Sequence, residues 1–492
     1  MGANLTLYGQ LARNSSTQPN KVAIIHNKEE ITWLDLHKRV SVLAAYLSTS
    51  GLSFDNRVIL SPDLSKSDFV ISLLGLSAVG AVIVLIDNSN LALAINSLDI
   101  SAIIVGNQNP GIEVIKDLHI INIDNIVKIQ SKKLFDGVSN YPSEKLALLL
   151  YTSGTTGAPK CTMLSHGNLS ATVENMAKFM NITKDIVEYM VAPLNHAFGL
   201  GRLRLILSVS GTMIFDDEMF NPARIILAIK NNDCNAISSV SSGFLLLINH
   251  FSNYLRDVGI SVKWIEIGSM SMSKRDKESM LKYFPMAKIV MNYGMTESMR
   301  STMLDLRKNT SKLHSVGKAS NGNEVLIFDE KGLELPPNEK GEIVVKGSHL
   351  AMGYLGMNKV WKSQIQRGFY KTKDFGFKDE DGFIVFLGRK DEMINIKGLS
   401  LSPIELEEKV KKTFNKADLC IVGIVDESLD YHMGDYPVLC IEGDFSLGDT
   451  EEIFLNKSEL SPKWIINFDK FPRTSNGKIQ REKLKIMVKE LI

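Results

Sequence analysis

The sequence is short of cysteine. Its 492 residues hold four, Cys161, Cys234, Cys420 and Cys440, with no CxxC pair and no metal-ligand spacing to the nine histidines. A disulfide scaffold and a zinc ribbon are thereby excluded, and a reducing, cytoplasmic location fits best. The chain also lacks an excess charge of either sign. Lys and Arg total 56 against 55 Asp and Glu, so no global field draws it to nucleic acid or to an anionic membrane, and phosphate binding has to come from local groups. The start, MGANLTLYGQLARNSS, has neither the basic head nor the continuous apolar core of a signal peptide. Gly2 followed by Thr6 fits only the loose myristoylation pattern, which two residues meet by coincidence. One long uncharged run, residues 69–86, raises the question of a membrane span. It reads better as a helix over 69–79, a break at Gly80 and a β-branched buried strand, AVIVLID, so no integral membrane segment is expected. Internal repeats and low-complexity linkers are missing too.

What is present is apolar material for more than one folded unit, 44% of the residues. Between about 20 and 140, short apolar runs (VAII, VIL, VIVLI, AIIV, IIN) alternate with stretches of helical period such as LDLHKRVSVLAAYL. A second alternating block runs from about 168 to 294. Both imply an α/β fold of parallel-rich sheets covered by helices. From about 319 to 390 the pattern changes to period-two segments (EVLIFDE, GEIVVKG, GFIVFLGR) with Gly-rich turns, predicting a small barrel-like subdomain. After Asp391 the helix ELEEKVKKTF and the strands LCIVGIVD and YPVLCIEG predict a small α+β domain. The expected division is therefore 1–390, with 319–390 as the barrel-like part, and 391–492.

The most informative stretch is LLLYTSGTTGAPKCTMLSHGNL, where a buried strand enters a loop of Thr152, Ser153, Gly154, Thr155, Thr156 and Gly157, followed by Lys160. Small residues let backbone N–H groups approach a polyphosphate, hydroxyls add donors, and the lysine adds charge. A flexible polar turn would be the bland alternative, but so many small hydroxyl and glycine residues ending in Pro-Lys directly after a buried strand favour phosphate. It is not a P-loop: the glycines are too close together and the lysine follows Ala-Pro.

YTSGTTGAPK resembles the signature of the adenylate-forming superfamily, which includes acyl-CoA and aryl-acid ligases, luciferases and stand-alone adenylation domains. The resemblance continues in order through ITWLDLHKRVSVLAAYL, PLNHAFGLG (193–201), NYGMTES (292–298), YKTKDFG (370–376), GRKDEMINIKGLSLSPIELEE (388–408) and PRTSNGKIQREKL (472–484). It implies an enzyme that joins a carboxylate to the α-phosphate of ATP, releases pyrophosphate and passes the acyl group to a thiol. The partners repel, so cations and oriented donors must offset their charge. By resemblance, Thr152, Ser153, Gly154, Thr155, Thr156 and Lys160 hold the β- and γ-phosphates; Tyr293 stacks on adenine, and Gly268, Asn292 and Gly294 belong to the nucleotide-binding set. Thr296 bonds the α-phosphate and Glu297 helps to hold Mg²⁺. Asp374 receives the ribose hydroxyls, with Arg389 beside them; Lys373 stands where the family usually has glycine. Lys478 swings in to neutralise the transition state, Asp391 is the hinge of a mobile C-terminal domain, and Gly398 lines a thiol tunnel. CoA, or the phosphopantetheine arm of an acyl carrier protein in trans, is the implied acceptor.

For the acid, His196 matches the position closing the carboxylate end of the pocket, with Phe198, Gly199, Met270, Met295 and Met299 as mostly apolar or flexible walls. NHAFGL holds no aspartate for an α-ammonium group, so a small fatty or aryl acid is expected rather than an amino acid. Asp216 or Asp217 would be the acidic residue to reconsider if that failed. Arg202 and Arg204 are expected to face solvent. Two other classes compete: a phosphotransferase or P-loop ATPase releasing ADP, and a non-catalytic member of the fold, the latter disfavoured by Lys160, Glu297, Asp374, Arg389 and Lys478 occurring together.

Overall fold

The computed structural model describes the chain except residues 1–5, 107–117, 128–133, 139, 153–159, 217–220, 232, 269–271, 397–398, 414–417, 426–434, 444–461, 463 and 475–477. Ser153, Gly154, Thr155, Thr156, Asp217, Met270 and Gly398 thus lie outside the described residues. Two compact units emerge: Met1–Leu313 with Ala319–Glu324 and Lys346–Ser363, and His314–Lys318 with Val325–Val345 and Gln364–Ile492.

The first unit is the expected α/β assembly. One sheet orders its strands Gly353–Tyr354, Lys160–Ser165, Leu146–Thr152, Val82–Leu85, Arg57–Leu60, Ala102–Val105 and His119–Asn122. The last five are mutually parallel, while Lys160–Ser165 returns antiparallel to Leu146–Thr152. A second sheet runs Ser298–Asp305, Lys288–Met295, Trp264–Gly268, Ala236–Val240, Val187–Met190, Thr212–Phe215, Val22–His26 and Glu29–Thr32. Central strands such as Val82–Leu85 are buried along their whole length, as a parallel sheet covered on both faces requires. The long apolar run resolves as read: helix Lys66–Val79, buried at every position from Phe69 onward, is capped by Ser65 and ended by Gly80 at φ +82°, a left-handed stop that glycine adopts without steric cost. No helix among the described residues is long and apolar enough to cross a membrane.

In the second unit, Gly341–Gly347, Phe369–Lys378 and Ile384–Arg389 pair antiparallel, matching the period-two pattern. Farther on, the strands Leu419–Val425, Asp435–Glu442 and Trp464–Phe468 form a sheet. Alternate residues divide its faces. Leu419, Ile421, Leu439 and Ile441 meet Leu406 and Val410 of helix Pro403–Thr413, while Cys420, Val422, Val438 and Cys440 meet Leu484 and Val488 of helix Arg481–Leu491. Cover on both faces explains why both strands read as continuous apolar runs.

Candidate active site

The loop expected to bind phosphate joins the paired strands Leu146–Thr152 and Lys160–Ser165, and Thr152 and Lys160 are Cα partners at its mouth. Lys160 Nζ lies 5.0 Å above the ring of Tyr354. That tyrosine, 1% exposed, donates its hydroxyl hydrogen bond to Glu297 Oε1 at 2.7 Å. Thr296 and Glu297 are the two turn residues of the hairpin Lys288–Met295/Ser298–Asp305. The Glu297 carbonyl accepts from Ala351 N at 2.8 Å, which fastens the turn to the segment carrying Tyr354. One buried tyrosine thus spans the lysine and the glutamate that the motifs assign to phosphate and metal. Sequence reading missed Tyr354, because it stands 57 residues from Glu297 and outside every motif. Among the described residues no group of three or more His, Cys, Asp or Glu could cage a metal. A single carboxylate beside a polyphosphate is nevertheless the donor set that Mg²⁺ uses, with waters and phosphate oxygens completing its shell.

Of the residues expected to wall an acid pocket, those described, His196, Phe198, Gly199, Met295 and Met299, belong to the same unit. A Cβ at Gly268 would lie 2.5 Å from the Phe198 ring, and one at Gly199 would lie 2.2 Å from the Pro193 carbonyl oxygen, so both positions need glycine for close packing. The Arg300 guanidinium lies 5.5 Å from the Phe198 ring centroid and donates to Glu266 Oε1 at 2.8 Å. Asn292 donates to the same oxygen at 2.6 Å and to the Ile267 carbonyl at 3.3 Å, so its amide props Glu266. Gly294 abuts the backbone of Ser298 and Arg300. Met299 is buried; Tyr293, Met295 and Thr296 are half-buried. His196 precedes helix Ala197–Val209 and places Nε2 3.4 Å from Asp87 Oδ1, which also accepts from Asn195 at 2.9 Å. Asp87 ends the buried strand read from the sequence, yet nothing in that strand signalled the pairing. Asp216 is engaged elsewhere, with Arg224 at 2.5 Å and the Tyr189 hydroxyl at 2.9 Å.

The solvent-facing assignment of Arg202 and Arg204 fails: they are 1% and 5% exposed. Arg202 pairs with Glu188 and, at 2.8 Å, with Glu266. Burial works against its charge, but the two carboxylates outweigh burial and raise its pKa. The helix is covered on opposite faces, so two different faces can both be inside, and charge alone does not report exposure.

In the second unit Asp374 and Arg389 are Cα partners across adjacent strands, and Arg389 Nη1 reaches Asp374 Oδ1 at 3.1 Å and the Thr372 carbonyl at 3.0 Å. Burial disfavours the arginine's charge, while Asp374 and Asp391 outweigh it and raise the pKa. Lys373 has φ +62°, which explains why glycine is usual there: a side chain in this region is strained. Its N–H bonds Glu342 Oε1 at 3.2 Å. Asp391 is exposed, within a short turn Lys390–Glu392, 3.5 Å from Arg389 Nε. Lys478 is exposed; its N–H donates to Thr474 Oγ1 at 3.1 Å and its carbonyl accepts from Thr474 N at 2.8 Å.

The family model described as AMP-binding enzyme matches residues 11–355. The chain belongs to the AMP-binding enzyme family. Family membership makes it an adenylate-forming enzyme, an AMP-forming acid–thiol ligase, as the motif resemblance implies. It is 26% identical to the 2-succinylbenzoate–CoA ligase of Bacillus pumilus (strain SAFR-032), over 96% of this chain and 97% of that one. It is 25% identical to a feruloyl-CoA synthase of Amycolatopsis sp, over 95% and 96% respectively. Among solved structures, ATP-bound MatB from Rhodopseudomonas palustris matches with TM-score 0.87 at 22% identity, covering 98% of this chain and 99% of that one. The o-succinylbenzoate coenzyme A synthetase of Bacillus subtilis in complex with ATP and magnesium matches with TM-score 0.86 at 22% identity, over 97% and 99%. These two likenesses establish the fold of the family across nearly the whole chain. Asp374, Arg389 and Lys478 lie beyond the residues of the family match.

Proposed function

We propose that this ligase activates a small apolar or aromatic monocarboxylic acid with ATP and Mg²⁺ and transfers the acyl group to the thiol of CoA. The observation that carries the reading is the chain from Lys160 through the Tyr354 ring to Glu297. A fixed ammonium and a fixed carboxylate beside a glycine- and hydroxyl-rich loop supply the charge and the hard oxygen ligand that a Mg²⁺-polyphosphate requires. Bound Mg²⁺ would neutralise phosphate charge, with Glu297 as its protein ligand. In this reading Thr152, Ser153, Gly154, Thr155, Thr156 and Lys160 hold the terminal phosphates, Tyr293 with Asn292 and Gly294 serves adenine, and Thr296 bonds the α-phosphate. Asp374 receives the ribose hydroxyls, and Arg389, 3.1 Å from its Oδ1, holds that carboxylate in place. Lys478 bonds the acid carboxylate and the α-phosphate, Asp391 is the hinge of a mobile domain from 391 to 492, and Gly398 lets the pantetheine arm pass.

Charge pairing supports the class of acid. Arg202 and Arg300 bond Glu188 and Glu266, so these buried cations are matched within the protein, and Phe198, Met295 and Met299 leave the candidate walls apolar. Asp87, whose Oδ1 accepts from Asn195 and faces His196, is the carboxylate that contacts this histidine. CoA is favoured as acceptor because the full-length relatives are named CoA ligases. Four buried, unpaired thiols fit a reducing cytoplasm. Burial pushes Cys161 and Cys440 up to about 12, leaving them as inert thiols.

Acid-dependent pyrophosphate exchange over a panel of fatty, aryl and amino acids, repeated with CoA, tests the proposal. Apolar and aryl acids should exceed their α-amino counterparts by on the order of 10² in catalytic efficiency, since burying an unmatched ammonium costs several kcal/mol. Preference for any free amino acid over every fatty and aryl acid would overturn the substrate class.

A further inference from the structure

Three arginines are buried around helix Ala197–Val209 and strand Ser298–Asp305, namely Arg202, Arg204 and Arg300. Two buried carboxylates answer two of them: Glu188 and Glu266 bond Arg202, and Glu266 bonds Arg300. Arg204 has no such partner among the described residues, and its Nε is enclosed without a hydrogen bond. Burial, and then the neighbouring Arg300, lowers its pKa to about 9, so at neutral pH it remains a cation. An enclosed cation without a counter-charge is strongly unfavourable, whereas one with an anion is not.

Arg204 lines a cavity of about 30 Å³. Leu73, Ile83, Leu148 and Leu200 form apolar walls, and His166 with the hydroxyl residues Thr6, Ser77 and Ser170 makes up the rest of the polar lining. Burial, and then Arg204, pushes His166 down to about 4, so it stands neutral and can donate an N–H. It stacks on Tyr141 with centroids 4.7 Å apart. The Tyr141 hydroxyl is itself buried without a partner, close against Gly80 of the cavity wall. A space of this size holds about two waters or one small ion and excludes an organic acid. Water would satisfy the donors but leave the charge unanswered.

We propose that this cavity is an anion site, taking one small monovalent ion of the size of chloride or bromide, with Arg204 as the cation and His166 as a neutral donor. The ion completes a cluster of three arginines and two glutamates. It ties helix Ala197–Val209, which starts beside His196, to the strands Val82–Leu85 and Leu146–Thr152 beneath it. The site is independent of the ligase reading, because neither Arg204 nor His166 has been assigned to substrate or nucleotide.

The test is a bromide soak of crystals of the unaltered protein, read by anomalous scattering, alongside thermal melts in chloride, bromide and gluconate at one ionic strength. A single anomalous peak within about 3.5 Å of the Arg204 guanidinium is expected, with a saturable rise in melting temperature on the order of 1–3 °C in halide over gluconate. Arg204→Met should remove that halide response. An empty cavity at saturating bromide, or an undiminished halide response in Arg204→Met, would overturn the proposal; the soak needs no variant to fold.

Discussion

Lys160 and Lys478 carry the same charge and are assigned to the same triphosphate, and the fold treats them in opposite ways. Lys160 opens a strand, faces Thr152 across a sheet and has its ammonium set over a buried aromatic ring. Lys478 is exposed, with its N–H bonded to Thr474 Oγ1. The difference is instructive because binding and catalysis make different demands. A group that holds ATP in the ground state gains from being fixed, whereas one needed only in the transition state can approach late and leave.

The contrast breaks most visibly at Lys478. Lys478→Ala should lower adenylation roughly 10²–10³-fold, the scale of a lost transition-state donor, while thioester formation from supplied acyl-adenylate stays unchanged. Equal loss in both half-reactions would mean that Lys478 is as permanent a part of the site as Lys160. Next in size is Asp391→Pro. Fixing one backbone dihedral at the hinge should preserve adenylate formation and slow thioester formation by about tenfold or more; rapid-quench separation of the two steps checks this, and the reverse pattern would move the hinge elsewhere.

On the fixed side, Tyr354→Phe keeps the ring under Lys160 and removes the hydrogen bond to Glu297. A bond worth about 1 kcal/mol corresponds to roughly a fivefold rise in the KM for Mg²⁺-ATP. An unchanged KM would show that Glu297 holds its place without the tyrosine. The smallest effect belongs to Lys373→Gly, which relieves a left-handed side-chain conformation at the cost of a more flexible unfolded chain. A net gain of about 0.5–1 kcal/mol is expected in denaturant melts, and no gain would mean that the bond from Lys373 N to Glu342 depends on the side chain being there.

Elements whose signals are local were legible in the sequence. Gly80 ended a helix, period-two segments became antiparallel strands, and the strand read before the Ser/Thr/Gly stretch formed and paired with the one that follows it. Residues defined by a partner far along the chain were not. Tyr354 and Asp87 meet Glu297 and His196 only after the sheets form, and neither stands in a pattern. Arg202 and Arg204 misled for a related reason: their acidic partners, or the absence of one, become apparent only once Glu188 and Glu266 are folded beneath the helix. Lys373 shows a third case, in which a departure from the family pattern was visible but its physical content, a φ of +62°, was not.

The most direct test of the ligase account is the product stoichiometry with an accepted acid, ATP, Mg²⁺ and CoA, resolved by chromatography of nucleotides and thioesters. The account predicts AMP, pyrophosphate and acyl-CoA in equal amounts, with each absent when the acid is omitted. ADP and phosphate in place of AMP and pyrophosphate, or nucleotide cleavage indifferent to the acid, would contradict it.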